Sequence, residues 1–472
     1  MRQTPNRNQP FLFPLAGKEE GYIYFLGIGG IGMSALARYL QAAGYAVSGY
    51  DKTESDLTRS LQRSGIDVHY TDDIGCIPQD LQLIVYTPAV PTELGIYQYC
   101  LASGRPMKKR SEVLQALTAG TYNVCVAGTH GKTTTSTMIA HVLRHCGYGC
   151  QAYLGGISVN YDTNTWSSDR NVSVIEADEY DRSFLRLLPD LALITAMDPD
   201  HLDIYGTVES MEEAYIDFTK LLSDQGVLLY HHSLKRATDL QAPHRFSYAL
   251  GDRSADYRTT SIVGEGGGYR FDLHTPDGSI TDCTMPVGGL HNVENAVGAA
   301  AIAHQLGIDA GSIRSALSCF RGVKRRFEVL YKAGETCWID DYAHHPEELR
   351  ALLEGVRHQY PTAHITIVFQ PHLFTRTRDL ASDFGEVLSI ADEAMLLPIY
   401  PARELPISGV SSEMIRSAKH PDGFPVVTKE TFMNWVIDQW HSGSDRPAVL
   451  VTAGAGDIDQ TYPFILKRLG GQ

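Results

Sequence analysis

The stretch Gly128-Thr-His-Gly-Lys-Thr-Thr134 decides the reading of this 472-residue chain. It follows the apolar run Val124-Cys-Val-Ala127 and leads into Thr135-Ser-Thr-Met-Ile-Ala-His-Val-Leu143, the order of a strand, a glycine turn and a helix. Such a turn points several backbone N–H groups at one place beside a helix N-terminus, where they and the helix dipole favour a polyphosphate. Lys132 adds a cation for the terminal phosphates, and the Thr133 hydroxyl is suited to a magnesium ion. Val126 stands where the longer phosphate-loop pattern has its first glycine. A tight turn with an exposed lysine would not need the flanking strand and helix. The stretch therefore reads as a nucleoside triphosphate site built from Gly128, Thr129, His130, Gly131, Lys132, Thr133 and Thr134, with ATP and Mg2+ as its ligands.

A second glycine turn lies upstream. Tyr22-Ile-Tyr-Phe-Leu26 reads as a strand, Gly27-Ile-Gly-Gly-Ile-Gly-Met33 as the turn and Ser34-Ala-Leu-Ala-Arg-Tyr-Leu40 as a helix. Gly27, Gly29 and Gly32 fit G-x-G-x-x-G, and the next strand, Ala46-Val-Ser-Gly-Tyr50, ends at Asp51, the usual place for an acidic group on a ribose. Alone this would suggest a dinucleotide. Two nucleotide sites in one chain call for a reading that uses both.

The length predicts two to four domains. Hydrophobic residues make up 43% and charged residues 20%, values of a globular protein rather than a disordered one. The formal net charge of −15 argues against a broad nucleic-acid surface. The eight cysteines form no C-x-x-C pair, which fits a reducing, cytoplasmic setting. His141, His145, Cys146 and Cys150 have zinc-ligand chemistry, but they sit where a helix ends and read as structural. No run approaches a membrane span. Phe11-Leu-Phe-Pro-Leu15 is too short and too quickly followed by charge to be a secretory signal, so the first residues read as a loose extension.

Downstream, strand and helix signals alternate to the end. The expected fold is α/β in three domains: Rossmann-like over 20–118, phosphate-loop ATPase-like with a β extension over 119–328, and Rossmann-like over 329–472. The strand Leu81–Tyr86 ends near Thr87 in the first. In the second, Val172-Ser-Val-Ile175 runs into Glu176-Ala-Asp-Glu-Tyr-Asp181, and Leu191-Ala-Leu-Ile-Thr195 runs into Asp198-Pro-Asp-His-Leu-Asp203. Glu176 is the expected carboxylate for the ion held by Thr133, while Asp178, Glu179 and Asp181 read as a solvated acidic loop. His201, past a strand end, reads as functional. Arg325 and Arg326 adjoin a boundary and have the planar fork that suits phosphate. In the third, Asp340-Asp-Tyr-Ala-His-His-Pro346 and Phe369-Gln-Pro-His-Leu-Phe-Thr-Arg376 follow strands. Tyr342, His344, His372 and Arg376 have the chemistry to converge on a small carboxylate-bearing molecule.

The ordered set of motifs, from the first glycine turn through H-N-V-E-N-A at His291–Ala296 to Gly454-Ala-Gly-Asp457, resembles the Mur ligase family over about residues 22 to 460. The branch it resembles most adds L-alanine to UDP-N-acetylmuramate in peptidoglycan precursor synthesis. The resemblance implies ATP-dependent ligation to the lactyl carboxylate through an acyl phosphate, releasing ADP. Gly27, Gly29, Gly30, Gly32, Met33, Asp51 and Thr87 would hold the UDP substrate rather than a dinucleotide. Asn292 and Asn295 would contact adenine, Arg326 the γ-phosphate and Asp341 the ATP ribose. Glu176 and His201 would match the family's metal-binding residues. Tyr342, His344, His372 and Arg376 would form the muramate and alanine end, with Lys132, His201, Arg326, His344 and Arg376 as the catalytic set.

Three positions depart from the pattern: Ala196 in place of Asn, Asp198 in place of Glu, and Leu373 where an arginine is common. A relative that reattaches recycled murein tripeptide would share nearly all these motifs. The unbroken first turn favours the alanine-adding branch.

Overall fold

The computed structural model describes residues 21–265, 267–334, 336–402, 404–440 and 447–470. The expected N-terminal extension lies outside them. The chain forms three sheets, and the α/β class expected from the sequence holds throughout.

The first sheet contains β1 (Tyr22–Leu26), β2 (Ala46–Tyr50), β3 (Asp67–His69), β4 (Leu81–Tyr86) and β5 (Met107–Lys109) in the order β3-β2-β1-β4-β5. All its pairings are parallel, so the chain order reverses between β1 and β4. That reversal opens a crevice at the strand C-termini, where ligands bind in such sheets. The first glycine turn follows β1 and sits there.

The second sheet has ten strands: β6 (Tyr122–Ala127), β7 (Gln151–Ser158), β8 (Thr163–Trp166), β9 (Val172–Glu176), β10 (Leu191–Ile194), β11 (Val227–His231), β12 (His244–Ala249), β13 (Tyr257–Glu265), β14 (Gly268–Thr275) and β15 (Gly278–Met285). Their order is β15-β14-β13-β12-β11-β10-β6-β9-β7-β8. The β-leaning stretch past Arg258 thus forms three neighbouring strands, as its composition predicts. β6 lies between β9 and β10, parallel to both. Its apolar run is buried on both faces, as a central parallel strand requires. This order brings together three segments far apart in sequence: the loop after β6, the acidic loop after β9 and the His201 loop after β10.

The third sheet contains β16 (Glu328–Ala333), β17 (Thr336–Asp341), β18 (His364–Phe369), β19 (Glu393–Leu396) and β20 (Ala448–Ala453), in the order β16-β17-β20-β18-β19. Only β16 is antiparallel.

The chain divides into two compact units. One runs to Ile262 and includes Arg270–Thr284 and Glu294–Phe320; the other comprises Val263–Tyr269, Met285–Val293 and the chain from Arg321. Within the first unit a single buried cluster runs from Ile23 and Phe25 of the first sheet to Ile175, Ile194 and Leu228 of the second. The helix Ile31–Ala42 faces β7 and β8: Asn164 donates to the Ile31 carbonyl (2.7 Å), and Arg38 reaches Thr163 (3.2 Å). Among the described residues, no helix is long and apolar enough to cross a membrane.

Candidate functional site

The second glycine turn carries the densest chemistry. Gly128 (φ +132°) and Gly131 (φ +77°) adopt conformations that disfavour side chains, and Gly131 caps the helix Lys132–His145. A Cβ at Gly128 would lie 2.0 Å from the Thr195 hydroxyl, so the turn presses directly on the loop after β10. Thr129 is bonded from Asp198 N (3.1 Å), and His130 Nε2 lies 3.7 Å from the Asp198 carboxylate. Ala196 meets the same turn through its carbonyl, which accepts from Thr129 N (3.1 Å). Both departures from the family pattern after β10 therefore contact this glycine turn.

Thr133 and Thr134 are buried in the first turn of the helix. The Thr133 hydroxyl donates to Glu176 Oε1 (3.0 Å), while Glu176 Oε2 accepts from Gly155 N (2.9 Å) and more loosely from Ser136 (3.5 Å). Thr133 and Glu176, read from the sequence as sharing an ion, are bonded directly to each other, with both carboxylate oxygens engaged.

Lys132 Nζ is 2.8 Å from Glu179 Oε1 and also donates to the Gly128 carbonyl. Burial works against its charge, but the Glu179 carboxylate outweighs it and raises the pKa of the ammonium. The acidic loop corrects the sequence expectation. Glu179 is not solvated; it is 1% exposed. Asp178 pairs with Arg110 (3.1 Å), and Asp181 pairs with Lys109 (3.1 Å). Two successive residues at φ +53°, Asp181 and Arg182, turn the loop. His201 (φ +50°) stands beside it, with Nε2 3.8 Å from Glu179 Oε1 and its ring edge-on to Tyr180. Asn295 Oδ1 accepts from the Thr135 hydroxyl (3.1 Å) and would be 2.7 Å from a Cβ at Gly131.

At the first turn, Gly27 has φ +85°, and its N–H and that of Ile28 both donate to the Tyr50 carbonyl. A Cβ on Gly27 would meet Thr87 at 2.8 Å. Asp51 folds back on the turn: Oδ2 accepts from Gly29 N (2.7 Å) and Oδ1 from Thr53 N (3.2 Å). Gly30 caps the helix that follows, and Met33 is buried beneath it. A Cβ on Gly32 would be 2.7 Å from Arg110 Nη1. Arg110 thus touches this turn and the acidic loop together. The sequence reading missed it, because no motif marks Arg110, the last of the basic run Lys108-Lys-Arg110 and the first residue of a helix.

In the zinc-like set, His141 Nε2 donates to the Ala316 carbonyl (2.9 Å) and Nδ1 accepts from the Tyr161 hydroxyl (2.9 Å), while burial pushes its pKa down to about 4.

In the second unit both guanidiniums of the paired arginines lie over the Tyr342 ring, 5.2 and 5.3 Å from its centroid, and Arg325 is also tied to Asp340 (3.2 Å) and to the Gly454 and Gly456 carbonyls. Asp341 is buried and accepts from Phe327 N (2.7 Å) and Ala343 N (2.8 Å). Asn292 Nδ2 donates to the Gly288 carbonyl (2.7 Å). Tyr342, His344 and His372 form a chain of edge-on rings, with centroids 5.4 and 5.9 Å apart. His344 also bonds Glu348 (3.2 Å), which holds that carboxyl below its usual range against the effect of burial. The rings of His372 and Tyr400 stack. Arg376 enters on the helix Phe374–Leu388; its Nη1 is buried without a hydrogen-bond partner. Leu373, just before that helix, has φ +71°.

Three family models cover almost the whole chain: the Mur ligase family catalytic domain over residues 22–122, the Mur ligase middle domain over 126–303 and the Mur ligase glutamate ligase domain over 325–456. The chain belongs to the Mur ligase family. It is 44% identical to a UDP-N-acetylmuramate–L-alanine ligase of Porphyromonas gingivalis, over 93% of this chain and 96% of the relative. It is 42% identical to one of Flavobacterium johnsoniae, over 95% and 97%. The crystal structure of UDP-N-acetylmuramate–alanine ligase from Thermotoga maritima superposes with a TM-score of 0.80 at 26% identity, covering 95% of this chain and 99% of that one. A murein peptide ligase of Psychrobacter arcticus shares the fold, with a TM-score of 0.68 at 21% identity.

Proposed function

We propose that this Mur ligase joins L-alanine to the lactyl carboxylate of UDP-N-acetylmuramate at the expense of ATP, in cytoplasmic peptidoglycan precursor synthesis. The observation that carries the proposal is identity above 40% along nearly the full length of ligases bearing that name. In this reading residues 20–118 bind the UDP substrate, 119–328 bind ATP and 329–472 serve the amino acid.

A carboxylate does not react with an amine at neutral pH, because its carbon is a poor electrophile. The lactyl carboxylate oxygen therefore attacks the γ-phosphorus, the bond to the bridging oxygen breaks and ADP leaves. The alanine amine attacks the acyl phosphate carbon, the carbon–oxygen bond to phosphate breaks, and phosphate leaves as the nitrogen loses a proton. The protein's task is positioning, charge neutralisation and exclusion of water.

Gly27, Gly29, Gly30 and Gly32 hold the diphosphate, with Met33, Asp51 and Thr87 around them. Lys132 and Arg326 act on the γ-phosphate, Asn292 and Asn295 on adenine, and Asp341 on the ribose. Tyr342, His344, His372 and Arg376 receive the muramate and alanine end; the unpartnered Arg376 Nη1 suits the alanine carboxylate. The hydroxyl and carboxylate oxygens around Lys132 are a hard donor set, and Thr133, Glu176 and His201 would hold a magnesium ion. When bound, that ion supplies charge neutralisation at the phosphates.

The test is phosphate release with ATP, UDP-N-acetylmuramate and one acceptor at a time: L-alanine, L-serine, glycine, or L-alanyl-γ-D-glutamyl-diaminopimelate. Release with L-alanine in preference to the tripeptide is expected. Preference for the tripeptide would identify a recycling ligase instead.

A further inference from the structure

The helix that carries Arg376, Phe374–Leu388, begins without a cap of its own. Its N-cap residue is Leu373, which offers no side-chain acceptor to the first N–H groups and stands at φ +71°, ψ 136°. No acidic residue lies in its first turn, and Arg376 is the third residue of the helix. A cation there faces the positive end of the helix dipole, and the N–H groups beside it need acceptors. A leucine at such a φ persists only where its surroundings over-determine it.

Those surroundings come from beyond β19. Leu373 N donates to the Tyr400 carbonyl (3.0 Å) and Tyr400 N to the Pro371 carbonyl (2.8 Å), so Tyr400 brackets the strained residue. Glu404 supplies the missing cap: Oε2 accepts from Thr375 N (3.0 Å) and Oε1 from the Thr375 hydroxyl. Burial acts against the Glu404 charge, but these contacts, joined by the Phe374 N–H, outweigh it and hold the carboxyl below its usual range. An acid distant in sequence thus does what an N-cap residue ordinarily does. The turn it fixes carries the one side chain here with an open donor, since Arg376 Nη1 is buried without a hydrogen-bond partner. A buried donor of that kind is costly until a ligand completes it.

We propose that Glu404 is a positioning residue for the acceptor: by capping the helix Phe374–Leu388 it fixes Arg376 where the acceptor carboxylate binds. Without the cap the first turn frays, and only a fraction of the molecules presents Arg376 correctly. The apparent affinity for the acceptor falls by that fraction. Glu404 acts through Arg376 and not by touching the acceptor. The inference rests on reading Arg376 as the contact of the acceptor carboxylate, and it adds what holds that arginine in place.

The experiment is steady-state kinetics of the full chain, with ATP, UDP-N-acetylmuramate and L-alanine each varied in turn. Glu404→Gln should raise the KM for L-alanine about five- to tenfold, the fold-change equivalent of a lost helix cap. The other two KM values, and kcat at saturating alanine, should stay within about twofold of wild type, because the loss falls on acceptor binding. Glu404→Asp keeps the charge but shortens the reach, and Thr375→Val removes only the hydroxyl; both should shift the alanine KM in the same direction by less. These two decide the matter if Glu404→Gln does not fold, as checked by circular dichroism. Arg376→Lys separates the proposal from the reading beneath it. A raised alanine KM in Arg376→Lys, with wild-type values in the folded Glu404 and Thr375 variants, overturns the proposal and leaves the acceptor site standing. An unchanged alanine KM in all of them overturns both. A parallel rise of all three KM values in Glu404→Gln would show a merely structural role and would also overturn the proposal.

Discussion

The two glycine turns share a backbone design and differ in what surrounds it. Each follows a buried parallel strand and opens a helix, and each has glycine at positive φ. At the first turn the neighbouring acidic group, Asp51, bonds back to Gly29 and brings no cation with it. At the second, Lys132 and Thr133 meet Glu179 and Glu176, both delivered by the adjacent strand β9. In the proposed function a diphosphate that does not react needs only to be held, whereas phosphoryl transfer also needs charge at the reacting oxygens, which Lys132 would supply at the second turn.

The sharpest way to break this contrast is Lys132→Ala. It should lower phosphate release by about 10²–10³-fold or more, the cost of removing one transition-state charge contact. UDP-N-acetylmuramate affinity, measured by calorimetry, should stay near wild type. Loss of both would mean that the turns do not have separate duties.

A matched pair of glycine variants follows. Gly131→Ala places a Cβ 2.7 Å from Asn295 Oδ1 at φ +77°, a conformation costing about 1–2 kcal/mol for an alanine. It should raise the KM for ATP about tenfold, since 1.4 kcal/mol is a factor of ten, and leave the UDP substrate unaffected. Gly29→Ala places a Cβ 2.7 Å from Asp51 Oδ2 and should do the converse. Steady-state kinetics with each substrate varied separates the two. Crossed effects would merge the sites.

The helices behind the turns also differ. The first buries Met33, Leu36 and Leu40, whereas the second buries His141, whose pKa falls to about 4. That value lies below the ordinary 6.5, so the unfolded chain takes up a proton that the folded protein refuses. His141 therefore contributes full stability above pH 6.5 and loses it as pH falls towards 4. Urea midpoints at pH 7 and pH 5 should drop more for wild type than for His141→Gln. Equal drops would show that His141 titrates normally.

The smallest effect concerns the link between the turns. Arg110→Ala removes the Asp178 pair and the contact beside Gly32. It should raise the KM for UDP-N-acetylmuramate by no more than about fivefold, the range of a partly exposed ion pair. The difference from wild type should shrink in high salt, as screening requires.

These contrasts were unevenly legible in the sequence. Both turns, their strands and their helices are local patterns, and each formed where glycine spacing and apolar runs placed it. Glu176 and His201 drew notice because one ends a strand and the other lies in the loop after one. Glu179 looked like one acid among several, since nothing local reveals that Lys132 and Tyr205 enclose it. The same holds for Arg325 and Arg326, identical in type and adjacent in sequence. Only packing ties Arg325 to Asp340, although both guanidiniums lie over the Tyr342 ring. Asp51 sits where a ribose contact was expected, yet its carboxylate is bonded to the turn itself.

The central claim is that the second turn transfers phosphate onto a carboxylate of the substrate held by the first. UDP-N-acetylmuramate labelled with ¹⁸O in its lactyl carboxylate tests this directly. With ATP, magnesium and L-alanine, mass spectrometry should find one labelled oxygen in the released phosphate. It should also find an alanine adduct that has lost that labelled oxygen and kept the other, with both signals lost in Lys132→Ala. Released phosphate that carries no label while the alanine adduct forms would contradict the account.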